Sequence, residues 1–410
     1  MSSLAYVFVW LVVFVAPWEM LGQLGPLPTL SRLLGLSAAG FAVLAILMGT
    51  KIRPWPRPLL WMIAYWAWSV LSMAWSIEPS ATYTHIFSVT QLFMLVLLIW
   101  QCAPTVKQQT GLMFALLIGS LVPLAMMYTT YRETLGAEEF DSARFAGAGH
   151  DANYLAEMFT IEILMVVYLG LRPERSSWQR YFWWAYVVVA AFAVFLTGSR
   201  TGAVTLGLAG LWTLWFARTL RPQMKVLLIG SAVLIMVVLP QFVPSGLLTR
   251  IGELTSSPHT LEMRLDAWKR GVEVFLGNPI LGVGGASFAE AITRLGAERR
   301  MVAHNIFITV VTEKGVIGLG ILLTFLVMLW RRASSMPRRE RTLWRGVLIV
   351  WLVSSMMAGS MTDKLSWFIF GIVLAQAEAL RSAAARIGGK GAAAVRLPLR
   401  PRPKLRGAHE

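Results

Sequence analysis

The chain has 410 residues, 56% of them hydrophobic and only 14% charged, with a formal net charge of +16. A water-soluble protein of this length cannot bury so much apolar surface, so the composition excludes a soluble globular enzyme and indicates a polytopic membrane protein. The single cysteine, Cys102, excludes an intramolecular disulfide and a cysteine-built metal site. The five histidines form no HExxH pattern, and we expect no metal and no other cofactor.

Apolar segments of about 20 residues, the length that crosses a bilayer, recur about twelve times along the chain. We therefore predict an all-α membrane protein with about twelve transmembrane helices. The first segment lacks a basic start and a cleavage site, so we expect a retained helix. The predicted spans are residues 4–21, 33–49, 58–76, 86–103, 111–128, 153–171, 181–198, 201–217, 226–243, 304–330, 345–361 and 365–380.

The lysines and arginines are distributed unevenly between the two sides of these spans. With a cytoplasmic N-terminus, 24 of the 37 fall on the inner side and 13 on the outer side. The positive-inside rule then places both termini in the cytoplasm, and this placement argues against nucleic acid as a partner. Seven of the 13 outer charges lie in one long loop. The predicted organisation is 1–243 (spans one to nine), 244–303 (an outer loop with an amphipathic helix, periplasmic on the resemblance described below), 304–380 (spans ten to twelve) and 381–410 (a basic, unstructured cytoplasmic tail).

A polar cluster stands at the outer start of the sixth predicted span, where the sequence reads GHDANY. Capping preferences favour Asp151 as the N-cap of that helix. Asn153 is a candidate for a substrate contact, because its amide both donates and accepts hydrogen bonds.

The seventh and eighth spans are joined only by LTGSRTGAV, which predicts a very tight outer turn. Arg200 is thereby held at the mouth of the bundle, on the side where arginine opposes the charge rule. An ionisable residue in such a place is a functional candidate. An arginine whose head extends to the lipid headgroups is the equally weighted alternative.

The long outer loop begins with a predicted amphipathic helix that should lie on the membrane surface or cap the bundle. Arg264 lies at the border of its two faces, one turn before Trp268. Arg270 lies on the charged face and is a lower-ranked substrate-binding candidate. The apolar face comprises Leu261, Leu265, Trp268, Val272 and Phe275, at helical spacing.

The segment GNPILGVGGASF follows this helix and is predicted to be a loop. Its glycines allow positive φ angles, so its backbone N–H groups are weak candidates for an anion cradle. A simple bend is the more frequent meaning of such a run.

A basic run then leads into the tenth span. Arg299, Arg300 and Asn305 are further lower-ranked substrate-binding candidates, and His304 is a candidate catalytic base at the outer start of the span. Glu313 and Lys314 are embedded in that span, where they should neutralise each other or face the bundle interior.

Arginines near one histidine at an outer membrane face suit a substrate with a diphosphate and a lipid tail. The guanidinium group binds phosphate with two parallel hydrogen bonds. A neutral histidine accepts a proton from an attacking hydroxyl at a pH near its own pKa. The outer segments offer no DxD motif for Mg²⁺, so the arginines must stabilise the charge of the leaving group.

The sequence contains RLDAW from Arg264, GNPILGVGG, Phe288, the pair His304 and Asn305, EKGVIGLG, and GSRTG with Arg200. Together these motifs resemble the signature of the O-antigen ligase and polymerase superfamily. The resemblance covers the whole layout of about twelve spans with one large loop. It implies a GT-C-type membrane glycosyltransferase of the bacterial inner membrane, without metal, with a periplasmic active site. The donor would be a glycan on undecaprenyl diphosphate. Arg200 and Arg264 would bind the diphosphate, and His304 would activate the acceptor hydroxyl.

Three activities occur within such a superfamily. We favour a ligase that moves O-antigen onto lipid A-core, acting as a monomer or weak oligomer among membrane lipids. A polymerase that lengthens the glycan on its carrier is the first alternative, and a protein O-oligosaccharyltransferase is the second. A glycolipid flippase or exporter is the alternative from another class, but it predicts charges spread through the bilayer rather than gathered at one face.

Overall fold

The structure is a computed structural model of the chain. It describes residues 1–22, 29–135, 144–147, 149–170, 177–217, 239–252, 258–297, 299–357 and 361–394, with a few isolated residues between 218 and 238. The statements below concern these residues.

The described residues form helices and contain no strand, so the predicted all-α class is confirmed. Short 3₁₀ segments extend the ends of several helices. The helices are α1 (Ser2–Val15), α2 (Leu30–Leu47), α3 (Arg57–Leu71), α4 (Pro79–Cys102), α5 (Val106–Gly119), α6 (Leu121–Thr134), α7 (Ala152–Gly170), α8 (Ser177–Leu196), α9 (Arg200–Ala217), α10 (Ser245–Gly252), α11 (Pro258–Gly277), α12 (Phe288–Arg294), α13 (Ile306–Ser334), α14 (Arg338–Ser355) and α15 (Lys364–Ala394).

Seven helical stretches in the described part of the chain are long and apolar enough to cross a membrane. Helices also occupy the other predicted spans except 226–243, most of which lies outside the described residues. The multi-pass character is thus confirmed, while the count of twelve stays a prediction. The seven stretches are Ser2–Leu21, Leu30–Leu47, Pro79–Cys102, Val106–Thr134, Ala152–Gly170, Ile306–Ser334 and Lys364–Arg386.

Helix α7 is the centre of the bundle. Residues on all its sides are buried, and it packs against α8, α9 and α14. A helix that is apolar all round is one that other helices surround. The N-terminal end of α7, where the polar cluster at Asp151 begins, is therefore held within the bundle rather than at its edge.

The loop helix α11 packs small residues against the protein and leaves part of its predicted apolar face exposed. Ala267 is 1% exposed and Val274 is 8% exposed, whereas Leu265 and Val272 are 50% and 41% exposed. A Cβ added at Gly271 would lie 2.8 Å from the ring of Phe288 and 3.1 Å from Ile308. The small residues face the neighbouring helices because they permit close approach. The exposed apolar residues are compatible with a helix on the membrane surface, and that placement stays a prediction.

The C-terminal helix also differs from expectation. Helix α15 continues to Ala394, past Arg381, where the sequence predicted an unstructured tail. The added segment, RSAAARIGGKGAAA, contains six alanines, and alanine is the residue that most favours helix. Residues 395–410 lie outside the described part.

Candidate active site

The turn between α8 and α9 places Arg200 at the first position of a helix. Gly198 takes a positive φ of 56° there, as the tight spacing predicts. The hydroxyl of Ser199 accepts the N–H of Gly202 at 3.0 Å and donates to Oδ1 of Asn153 at 2.8 Å. Asn153 thus joins the N-terminal end of α7 to the turn that carries Arg200.

Helix α11 brings Arg264 to the same place. The indole N–H of Trp268, one turn further on, donates to the carbonyl of Ala303 at 2.6 Å and so anchors α11 beside His304. Burial lowers the pKa of Arg264, and the nearby charge of Arg200 lowers it further. The two guanidinium groups therefore lie close enough to repel each other, as they would in a site for a multiply charged anion.

His304 completes the cluster. Burial lowers the pKa of its imidazole, the charge of Arg264 lowers it further, and the carboxylate of Asp151 opposes both effects. The ring is therefore neutral at neutral pH, the state that a general base requires. The backbone of His304 has a φ of 48°, an uncommon value for a residue other than glycine. The structure thus brings together Arg200, Arg264 and His304, which the sequence could only place on one membrane face.

Asp151 has the capping role that the sequence favoured. Its Oδ1 accepts the N–H of Asn153 at 2.8 Å and that of Tyr154 at 3.4 Å, at the start of α7. The same carboxylate acts electrostatically on His304, a second role that the sequence did not indicate.

A cavity of about 580 Å³ extends from His304 into the bundle. Its volume lies within the range typical of small-molecule sites. His304 lines this cavity, whereas Arg200 and Arg264 do not. The polar side chains that line it are Tyr65, His85, Asp151, Tyr154, Glu157, His304, Thr309, Glu313, Lys314, Thr362 and Asp363.

Sequence reasoning missed several of these lining residues. No role is assigned to His85 or Glu157 from the sequence. A carboxyl group inside a predicted span is itself a signal of function, and Glu157 carried that signal. His85 carried none, because its place opposite α13 depends on how α4 packs.

The lower-ranked candidates mostly make contacts within the protein. Arg270 pairs with Asp266 at 2.8 Å and donates to the carbonyl of Leu295 at 2.6 Å. Arg300 pairs with Glu78 at 2.6 Å. The side chain of Asn305 caps α13 by accepting the N–H groups of Phe307 and Ile308. Arg299 is exposed. The substrate-binding roles of these residues and of Asn153 stay predictions.

The glycine-rich loop is not arranged as an anion cradle. The N–H of Val283 donates to Thr312 O at 3.1 Å, and that of Gly284 donates to Glu313 O at 2.9 Å. The N–H of Gly285 donates to the hydroxyl of Ser72 at 3.2 Å. These donors are engaged within the protein, so the loop acts as a bend that packs against α13.

Within the described residues, no group of three or more His, Cys, Asp or Glu side chains is arranged to hold a metal ion. The buried carboxyl groups of the cavity are instead spread over several helices. Metal independence stays a prediction for experiment.

The comparison with known families bears on the same segment. A family model described as O-Antigen ligase (Wzy_C) matches residues 185–323, the range that contains Arg200, Arg264 and His304. Over this part of its length the chain is similar to the O-antigen ligase superfamily. The superfamily match also includes Glu313 and Lys314, but not Tyr65, His85 or the other cavity residues on α3, α4 and α7.

A curated relative gives a similar result. The exopolysaccharide production protein ExoQ of Rhizobium meliloti (strain 1021) is 27% identical over 285 residues, which cover 60% of this chain and 64% of the relative. The match thus spans less than two thirds of the length of that protein.

Proposed function

We propose that the protein is an O-antigen ligase that transfers a glycan from undecaprenyl diphosphate to a sugar hydroxyl of lipid A-core. The observation that carries the proposal is that Arg200, Arg264 and His304 lie within electrostatic reach of one another, with His304 in the wall of a large cavity. Two arginines offer planar donors for a diphosphate, and a neutral histidine beside them offers a base.

The reaction follows from this geometry. The diphosphate lies against Arg200 and Arg264, and its glycan enters the cavity. The acceptor hydroxyl attacks the anomeric carbon while His304 takes its proton. The bond from the anomeric carbon to the diphosphate oxygen breaks, and the two guanidinium groups stabilise the charge on the leaving diphosphate. A single displacement of this kind inverts the anomeric centre.

The test uses purified protein, lipid-linked glycan and lipid A-core, with EDTA present throughout. Wild type should produce glycosylated lipid A-core. Arg200→Ala and Arg264→Ala should each lower the rate by about 10²-fold or more, and His304→Ala by about 10²- to 10⁴-fold. Lys269→Ala, on the exposed side of α11, is the control and should match wild type.

Each alternative predicts a different product in the same assay. Lengthening of the glycan on its lipid carrier would identify a polymerase instead of a ligase. The relative's name refers to exopolysaccharide production, and for this reason the polymerase is the second candidate. Transfer to serine or threonine would identify a protein O-oligosaccharyltransferase. Movement of lipid across the membrane without a covalent change would refute an enzymatic function. Retention of the anomeric configuration would refute the single displacement.

A further inference from the structure

The inner part of the cavity is formed where α13 is interrupted. Gly315 has φ 63° and ψ −170°, so the helix breaks directly after Lys314. Lys314 is 1% exposed and lines the cavity. It lies eight residues beyond Ile306, which corresponds to about 12 Å along the helix axis. One sugar, or a donor sugar together with an acceptor, therefore fits between His304 and Lys314.

Lys314 is held in place by two side chains from other helices. Its Nζ lies 2.9 Å from Nε2 of His85 and 5.1 Å from the centre of the Tyr65 ring. An ammonium group only donates, so Nε2 of His85 accepts and the imidazole proton is on Nδ1. An ammonium has three N–H bonds, and His85 takes one of them. The carboxylate of the neighbouring Glu313 is bound to the backbone N–H of Phe288 at 3.3 Å.

Tyr65 supplies an independent sign of a ligand. Its side chain lines the cavity and is 3% exposed, yet its hydroxyl has no hydrogen-bond partner among the described residues. A buried hydroxyl of this kind is unusual, because leaving it without a partner destabilises the fold. A sugar hydroxyl is both donor and acceptor, and it would satisfy Tyr65 and Lys314 together.

We propose that Lys314, Tyr65 and His85 form a sugar-binding subsite that holds the hydroxyl groups of the glycan residue joined to the diphosphate. Lys314 and Tyr65 contact the sugar, and His85 positions the ammonium group. This inference rests on the proposed function. It adds that glycan recognition and diphosphate recognition belong to separate parts of the site.

Binding measurements with two probes separate these parts. One probe is undecaprenyl diphosphate, and the other is undecaprenyl diphosphate that carries the glycan, isolated from the source membranes. Both are titrated into the purified full-length protein, and binding is followed by native mass spectrometry. The variants are Tyr65→Phe, Lys314→Gln and Arg264→Gln. The controls are Tyr83→Phe and Lys107→Gln, which make the same chemical changes at exposed positions.

The expected pattern follows from which probe carries a sugar. Lys314→Gln should weaken binding of the glycan-bearing lipid by about 10-fold or more, since it removes a charge-assisted hydrogen bond. Tyr65→Phe should weaken it by about 3- to 10-fold. Both variants should bind undecaprenyl diphosphate within about 2-fold of wild type, which also shows that they are folded. Arg264→Gln should weaken binding of both probes.

Several outcomes would overturn the inference. One is a Tyr65→Phe variant that binds the glycan-bearing lipid as wild type does. Another is the combination of a Lys314→Gln variant that weakens binding of both probes equally and a His85→Asn variant that weakens binding of neither probe. If wild type binds both probes but transfers no glycan, the proposed reaction fails and the subsite is still judged by the variants. If wild type binds neither probe, the proposed function and the subsite fail together.

Discussion

Replacing Gly315 by alanine tests whether the break in α13 builds the inner part of the cavity. At φ 63° and ψ −170°, Gly315 occupies a region of backbone space that is almost restricted to glycine. An added Cβ would lie 2.1 Å from the carbonyl oxygen of Ile280 and 2.8 Å from the backbone nitrogen of Gly282. Both are backbone atoms, so the methyl group displaces the whole glycine-rich loop rather than one side chain.

The magnitude follows from the strain and from the contacts that the loop would lose. The backbone strain costs about 1–3 kcal/mol. Three backbone hydrogen bonds join the loop to the break, donated by Val283, Gly284 and Val316. Each contributes about 0.5–1.5 kcal/mol, so the substitution should lower the free energy of unfolding by about 3 to 7 kcal/mol.

The assay is unfolding of the purified protein in mixed micelles of a mild detergent and dodecyl sulfate, followed by circular dichroism. The control is Gly320→Ala in the same helix, because nothing lies within 4 Å of a Cβ added there. The control should be neutral or stabilise the protein by up to about 1 kcal/mol. A Gly315→Ala protein as stable as the control would refute this account of the break. It would show that α13 tolerates a continuous helix.

Three further changes test other parts of the site. Asp151→Asn keeps a good N-cap but removes the negative charge that raises the pKa of His304. The acid limb of the pH–rate profile should therefore move to lower pH. An unchanged acid limb would show that this limb does not report the titration of His304. Lys364→Met leaves the Glu19 carboxylate without its cation in a place where both side chains are mostly buried, and should destabilise the protein by about 3 kcal/mol, measured by the same unfolding assay. Adding Glu19→Gln should restore part of that loss, and no restoration would contradict the pairing. Arg300→Ala should change stability by less than about 1 kcal/mol, because its side chain is 57% exposed, and a larger loss would show a role beyond its surface ion pair.

The sequence places Arg200, Arg264 and His304 on one face of the membrane because the signals for these residues are local. The spacing of LTGSRTGAV requires a tight turn at Arg200, and the observed turn has Gly198 at a positive φ. His304 follows a basic loop and precedes an apolar span, which fixes its depth. Charge and chain order therefore suffice to place these residues on one face, and the structure adds that they are neighbours.

The buried face of α11 shows what hydrophobicity alone does not decide in a membrane protein. In a soluble helix the bulky apolar residues mark the core, but here Leu265 and Val272 remain exposed while Ala267 and Gly271 are buried. Apolar side chains next to a bilayer have two favourable surroundings, protein and lipid. Hydrophobicity alone therefore cannot choose between them, and small residues are the better sign of close helix contact.

The inner subsite was signalled only in part. Glu313 and Lys314 were recognisable as charges inside a span, but the segment EKGVIGLG reads as one continuous apolar helix with an ordinary glycine. The break becomes evident only in the structure, where the glycine-rich loop forms backbone hydrogen bonds with it. His85 and Tyr65 come from two other helices, and nothing in the spacing of the sequence connects them to Lys314.

The loop and the break in α13 require each other, which explains why the glycines recur on both sides of the contact. A helix interrupted at membrane depth frees backbone groups that lipid cannot satisfy, so another part of the protein must bind them. The loop accepts the N–H of Val316 through Pro279 and donates to the carbonyls of Thr312 and Glu313. Glycine at 282 and 315 allows the two backbones to approach closely enough for these bonds. The break that they stabilise interrupts the helix after Lys314, so the loop that was considered as an anion site instead helps to hold a lysine at the wall of the cavity.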